Sequence, residues 1–287
     1  MKNKILALLL AAAVLTALLG GCAEKPEQAS PQILATTAPV WQMTESLLEG
    51  TGLTCGRLIT ESVSCLHEYT LSVSQMTLLE QAEVVIANGL SLEAFMDDQL
   101  RLAKDVVYAG QDVQALPGED GEDPHIWLSP AHCITMCGTI AQALSARYPA
   151  QAGRIAQNLA ACEEAYRAAQ AYGEEQLAEL SCRELVTFHD GFAYFADAFG
   201  LTVAASMEIE SGSEPSAREL AEVAELVRGH AIPAVFAEKN GDDSAARTVA
   251  SETGAAVRLL DLGMGSDGIS PAQVIRNNID TVKEALG

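Results

Sequence analysis

Basic residues are scarce in this chain of 287. Its 17 Lys and Arg stand against 39 Asp and Glu, a formal net charge of −22. Nucleic acid needs a basic footprint, so that class of partner is excluded, and docking on an anionic lipid surface is disfavoured for the same reason. Histidines are few, five in all. No HExxH pattern sets two of them on one helix beside a general base. The apolar run at residues 5–19 is too short for a usual membrane-spanning helix. What the chain does have is 49% hydrophobic residues, enough for a sizeable core. Its length suits two lobes of ordinary size.

The N-terminal run follows a basic start, Met1-Lys2-Asn3-Lys4, and ends in Leu19-Gly20-Gly21-Cys22. That ending resembles the bacterial lipobox, in which the cysteine is diacylated and becomes the mature N-terminus. The resemblance implies a lipoprotein signal peptide over residues 1–21, lipidation of Cys22 and a tether over residues 22–31. The protein is then extracytoplasmic and lipid-anchored to a bacterial membrane; an ordinary signal peptide or an uncleaved anchor is the alternative. The six other cysteines are even in number and permit disulfides in an exported protein. Cys55 and Cys65 bracket a short segment and are the natural pair, whereas Cys133 and Cys137 stand four apart on an expected helix, a spacing typical of core packing.

Hydrophobic periodicity then alternates between strand and helix. Strands are expected at residues 33–37, 57–60, 84–89 and 106–109. Helices are expected at 41–49 and 72–83, with a third capped by Ser91 and carrying Glu93 in its first turn. Pro130, capped by Ser129, opens a helix to about Arg147. The Ala-, Glu- and Gln-rich stretch beyond Pro149 reads as a helix longer than about 40 Å. Alternation resumes with strands at 185–188, 201–207, 234–237 and 256–260, and Ser216 with Glu219 forms a capping box. The fold class is α/β: two lobes, each a parallel-type sheet flanked by helices, joined by one long connecting helix. The expected boundaries are 32–148 for the N-terminal lobe, 149–181 for the connector and 182–287 for the C-terminal lobe.

The chemistry gathers at strand ends. His189, Glu238 and Asp261 each follow or close an expected strand at its carboxyl end, where open α/β sheets place their ligands. His125 is held between Pro124 and Pro130, which stiffen its loop, and His67 lies shortly after a strand. Three imidazole nitrogens and one carboxylate oxygen complete a tetrahedral Zn²⁺ set. An Asp after a strand is also a common turn residue. Trp127 and Tyr194 read as packing residues, His132 and His230 as satisfied polar ones, and the acidic run before His125 as a solvated loop.

Three segments carry a more specific signal: Leu66-His67-Glu68-Tyr69, Asp123-Pro124-His125-Ile126-Trp127-Leu128-Ser129-Pro130 and Thr187-Phe188-His189-Asp190-Gly191-Phe192-Ala193-Tyr194-Phe195. They resemble the three histidine motifs of the zinc/manganese solute-binding lipoproteins of ABC importers, and the resemblance runs from about Ile33 to the C-terminus. It implies two α/β lobes joined by a long helix, with the metal between them on His67, His125 and His189. Asp261 matches the family's acidic fourth ligand, and Glu238 an acidic position near the site, as a supporting or alternative ligand. Histidine at position 189, where manganese members usually carry a carboxylate, favours Zn²⁺ over Mn²⁺. The chain departs from the family pattern in two places. It lacks the long His-rich loop that many zinc members carry before the second motif, and Cys65-Leu66 precedes His67 where a proline is common.

The reading is therefore a non-enzymatic, monomeric metal receptor that delivers Zn²⁺ to the permease and ATPase of an ABC importer. A manganese receptor or a surface adhesin of the same family is the alternative. A zinc hydrolase with Glu238 as general base ranks lower.

Overall fold

The first strand, β1 (Ile33–Ala35), is buried at every position, as a strand covered on both faces must be. It pairs in parallel with β2 (Cys55–Arg57) and with β3 (Val84–Ala87), and β3 pairs with β4 (Val106–Tyr108). The resulting sheet has the order β2-β1-β3-β4. In this computed structural model the described residues are 31–62, 66, 69–118, 121–207, 215–265 and 268–287. The expected signal peptide, the lipidation site at Cys22, nearly all of the tether, Cys65 and His67 lie outside them.

Helices close the β–β connections. α1 (Ala38–Leu48) begins with Pro39 near its start, where a missing N–H costs nothing. α2 (Val73–Gln81) carries a complete capping box between Ser72 and Gln75. The second strand lies earlier than residues 57–60, but Leu58 and Ile59 continue its pairing by donating to the carbonyls of Ala35 and Thr36.

The helix expected after Ser91 is corrected. Leu90 and Ser91 take left-handed backbone conformations, φ 53° and 62°, and only a 3₁₀ turn (Ala94–Met96) and the single turn α3 (Asp97–Leu100) follow. Glu93 is buried and accepts from the Thr36 hydroxyl at 2.7 Å and from the backbone N–H groups of Asn88 and Gly89 at 2.7 and 3.0 Å. Its carboxyl ties the loop after β3 to the end of β1 instead of serving a helix dipole.

β5 (Pro117–Gly118) and β6 (Gly121–Glu122) form a small antiparallel ribbon just ahead of His125. After a 3₁₀ turn at Ile126–Leu128 comes α4 (Pro130–Arg147), then α5 (Ala152–Gln176). At 25 residues, α5 spans about 37 Å, somewhat less than the sequence suggested. It packs on α4, on α1 beside the first sheet and on α9 (Pro271–Leu286) beside the second, and so links the two lobes. Asn158 of α5 donates to the carbonyls of Leu47 and Glu49, closing the end of α1. Gly173 is required where α5 meets the Phe199 ring, since a Cβ there would lie 2.2 Å from Phe199 Cε1.

The second sheet repeats the parallel plan in the order β10-β9-β7-β8. β7 is Glu184–Thr187, β8 Thr202–Ser206, β9 Ala234–Glu238 and β10 Ala256–Leu260. α6 (Ala193–Ala198), α7 (Ala217–Gly229) and α8 (Ser244–Thr253) complete the lobe, and Ser216 and Glu219 form the expected capping box on α7. The largest apolar cluster is continuous across both lobes. It joins Ile33 and Ile86 of the first sheet to Ile126 and Trp127, to Ile155 and Tyr166 of α5, and to Leu185, Phe236 and Leu260 of the second. A shared core of this kind disfavours free hinge motion between lobes, because close-packed interiors transmit strain rather than yield.

Candidate metal centre

His125 is set by its neighbours before any ligand is considered. Asp123, 3% exposed, accepts the backbone N–H of His125 on Oδ1 at 2.9 Å, an Asx-type turn. The same Oδ1 lies 2.8 Å from His125 Nδ1. A carboxylate on Nδ1 fixes the tautomer and leaves the Nε2 lone pair available, the arrangement that orients metal-bound histidines. Asn88 secures the loop from the end of β3 by donating to the Pro124 carbonyl at 3.0 Å. The acidic run is therefore not wholly a solvated loop: its last member supports the imidazole.

The third motif approaches from the other lobe. His189, two residues beyond β7, is buried. Its ring centroid lies 5.5 Å from that of His125, with the rings at 85°. Two imidazoles sharing one ion at Zn–N bonds of about 2.0 Å and a tetrahedral angle have centroids about 5 Å apart, so the spacing of this pair fits a shared ion. Gly191 makes the approach feasible. A Cβ there would stand 2.8 Å from Leu262 Cδ2, 3.0 Å from His189 Cδ2 and 3.1 Å from His125 Cδ2. Both imidazoles and the residue after Asp261 thus converge on one glycine.

Two aromatic residues expected only to pack also hold the site by hydrogen bonds. The indole N–H of Trp127, whose ring centroid lies 5.3 Å from that of His125, donates to the Leu262 carbonyl at 2.6 Å. The Tyr194 hydroxyl donates to the Asp123 carbonyl at 2.8 Å and accepts the Leu116 N–H at 2.8 Å. Each ties the His125 loop to the opposite lobe.

Asp261 follows β10 and is largely buried. Its backbone N–H donates to the Asn278 side chain, which in turn donates to the Asp261 carbonyl, both at 2.8 Å. Oδ1 accepts from the Gly263 N–H at 2.7 Å and Oδ2 from the Lys239 ammonium at 2.8 Å. Glu238 closes β9 and is 2% exposed. Among the described residues no three His, Cys, Asp or Glu side chains form a set able to hold an ion; the pair His125–His189 is assembled, and Asp261 is engaged by Lys239. Asp190, which the sequence reading did not single out, faces the same region. Burial raises its carboxyl above the usual range, the Asp123 charge adds to this, and His125 and a Ser206 hydrogen bond oppose it. Its position directly after His189 was the available signal.

The other two histidines differ from each other. His230 bonds Glu184 through Nδ1 at 2.9 Å. His132 stacks edge-on against Tyr194, ring centroids 5.1 Å apart, and its buried Nδ1 has no hydrogen-bond partner among the described residues, unlike the satisfied polar residue expected. Among the described residues, Cys55, Cys133, Cys137, Cys162 and Cys182 form no disulfide with one another, and the expected partner of Cys55, Cys65, lies outside those residues.

Residues 33–285 match the family described as zinc-uptake complex component A, periplasmic (ZnuA). The chain belongs to the ZnuA family. This is a family of solute-binding proteins, not of enzymes. The chain is 28% identical over 277 residues to the zinc-binding lipoprotein AdcA of Streptococcus pneumoniae, covering 90% of this chain and 55% of that one. It therefore spans about half the length of the AdcA proteins it matches. It is 28% identical over 303 residues to the manganese-binding lipoprotein MntA of Bacillus subtilis, covering 96% of this chain and 98% of MntA. A crystal structure of ZnuA superposes with a TM-score of 0.80 at 26% identity, covering 89% of this chain and 99% of the other. The two-sheet architecture linked by α5 is the architecture of this family's structures.

Proposed function

We propose that this protein is the extracytoplasmic receptor of an ABC importer for a divalent transition-metal ion, with Zn²⁺ as its preferred cargo. The observation that carries this is the pairing of His125 and His189 across the lobes at 5.5 Å, with Asp123 fixing Nδ1 of His125. His67 supplies the third nitrogen and Asp261 the carboxylate oxygen of a tetrahedral set, with Glu238 as a supporting or alternative acid. Imidazole-rich donor sets suit zinc, whereas manganese sites lean towards carboxylate. The zinc-binding AdcA relative agrees with that preference. The manganese-binding relative MntA, matched along nearly its whole length at the same identity, keeps Mn²⁺ as the competing cargo.

In this reading residues 1–21 are removed on export, Cys22 is lipidated and residues 22–31 tether the protein to a bacterial membrane. Residues 32–148 and 182–287 act as the two lobes about the connector at 149–181, and the loaded monomer docks on a permease served by an ATPase. The lipoprotein relatives support the anchor. The testing experiment is elemental analysis of protein purified without added metal, followed by competition between Zn²⁺ and Mn²⁺. Zinc at one equivalent, not displaced by equimolar manganese, is the expected result; a preference for manganese would reassign the cargo.

A further inference from the structure

The pairing of Lys239 with Asp261 is not implied by either residue alone. β9 and β10 run in parallel with Glu238 beside Leu260 in register, so the next residues, Lys239 and Asp261, leave the sheet side by side. The Lys239 N–H continues the ladder to the Leu260 carbonyl at 2.9 Å, and its ammonium reaches Asp261 Oδ2 at 2.8 Å. The carboxylate is fixed on its other side, where Oδ1 accepts from Gly263 N–H, and Asn278 clamps its backbone through two bonds. Asp261 is thus held in place while its second oxygen carries a cation.

The two partners differ in their exposure. The Lys239 side chain is 43% exposed, that of Asp261 12%. A long lysine stem can carry its ammonium towards water, while the clamped carboxylate stays. Asp261 is itself largely buried, and an unbalanced carboxylate in such surroundings is costly.

We propose that Lys239 is an internal counter-ion that occupies Asp261 Oδ2 until the metal arrives and is displaced by it. Lys239 is then a positioning residue: it holds the Asp261 carboxylate in place, at the cost of competing with the cargo for one oxygen. The idea rests on the reading above that Asp261 contributes to the site. The ammonium leaves as the dication enters, so the Asp261 carboxylate is compensated in both states.

The test is zinc affinity by chelator competition for the wild type, Lys239→Gln, Asp261→Asn and the double variant, with His125→Ala as control. Lys239→Gln is expected to tighten zinc binding by about three- to tenfold, and to do so only where Asp261 is intact. Its thermal midpoint without added metal should fall while the zinc-induced rise grows. Unchanged or weaker binding in Lys239→Gln, or an equal gain in the Asp261→Asn background, would overturn the counter-ion role. If His125→Ala retains wild-type affinity, it is the metal-site reading that fails; if His125→Ala loses zinc and Lys239→Gln matches wild type, only the counter-ion role fails.

Discussion

Trp127 donates its indole N–H to the backbone carbonyl of Leu262 at 2.6 Å, across 135 positions of sequence. The bond joins the residue two beyond His125 to the residue after Asp261, and it lies in the apolar core common to both lobes. The spacing of the two loops is therefore built into the core. Trp127→Phe keeps much of the ring volume but leaves a buried carbonyl unpaired. Urea unfolding should show a loss of about 1–3 kcal/mol, and zinc affinity should fall with it. Wild-type stability in this variant would mean that the indole only fills space.

Asp123 is a support for His125 and touches it twice through Oδ1. Supporting carboxylates of this kind are worth about 10- to 100-fold in metal affinity. Asp123→Ala should weaken zinc binding by that factor without abolishing it, whereas His125→Ala should abolish it. Chelator competition on the two variants checks the ranking; equal losses would make Asp123 a ligand rather than a support.

Gly191 faces both imidazoles, and an added Cβ would stand 3.0 Å from His189 Cδ2 and 3.1 Å from His125 Cδ2. Gly191→Ala should spread the pair and reduce zinc affinity at least tenfold, a penalty of about 1.4 kcal/mol. The expected change in unfolding midpoint is small, because Leu262 can give way. An unchanged affinity would show that the loop relaxes freely.

Glu93 supplies a pH signature. Burial raises its carboxyl above the usual glutamate range against the pull of Thr36, Asn88 and Gly89. Its contribution to stability is present in full below the unfolded glutamate value. It is lost as pH rises through the raised folded value, because the unfolded chain releases its proton first. Glu93→Gln cannot ionise and escapes that loss. Denaturant titrations from about pH 4 to pH 7 should show the variant gaining on wild type as pH rises; parallel curves would contradict the assignment.

These cases also separate what the sequence carries from what it does not. His125 and His189 were legible because their motifs are local: prolines stiffen one loop, and a strand end presents the other. The alternation of buried strands and amphipathic helices similarly gave the α/β class and the linking helix. Asp123 was hidden because an acidic run reads as solvated until its last residue is seen to turn back on His125. The Lys239–Asp261 pair depends on the register of β9 against β10, which no single segment encodes. Glu93 looked like a helix-capping acid since Ser91 two residues before it is a good cap; the left-handed turn at Leu90 and Ser91 defeats that local preference. Asp261 illustrates two readings at once, being both the turn residue that accepts from Gly263 and the carboxylate presented at the strand end.

The most direct test of the central claim is calorimetric titration of the full chain with Zn²⁺, beside His125→Ala and His189→Ala. One tight zinc ion per wild-type chain is expected, with its loss in both variants and circular dichroism unchanged. A variant that still bound one zinc with wild-type affinity would contradict the placement of the metal between these two imidazoles.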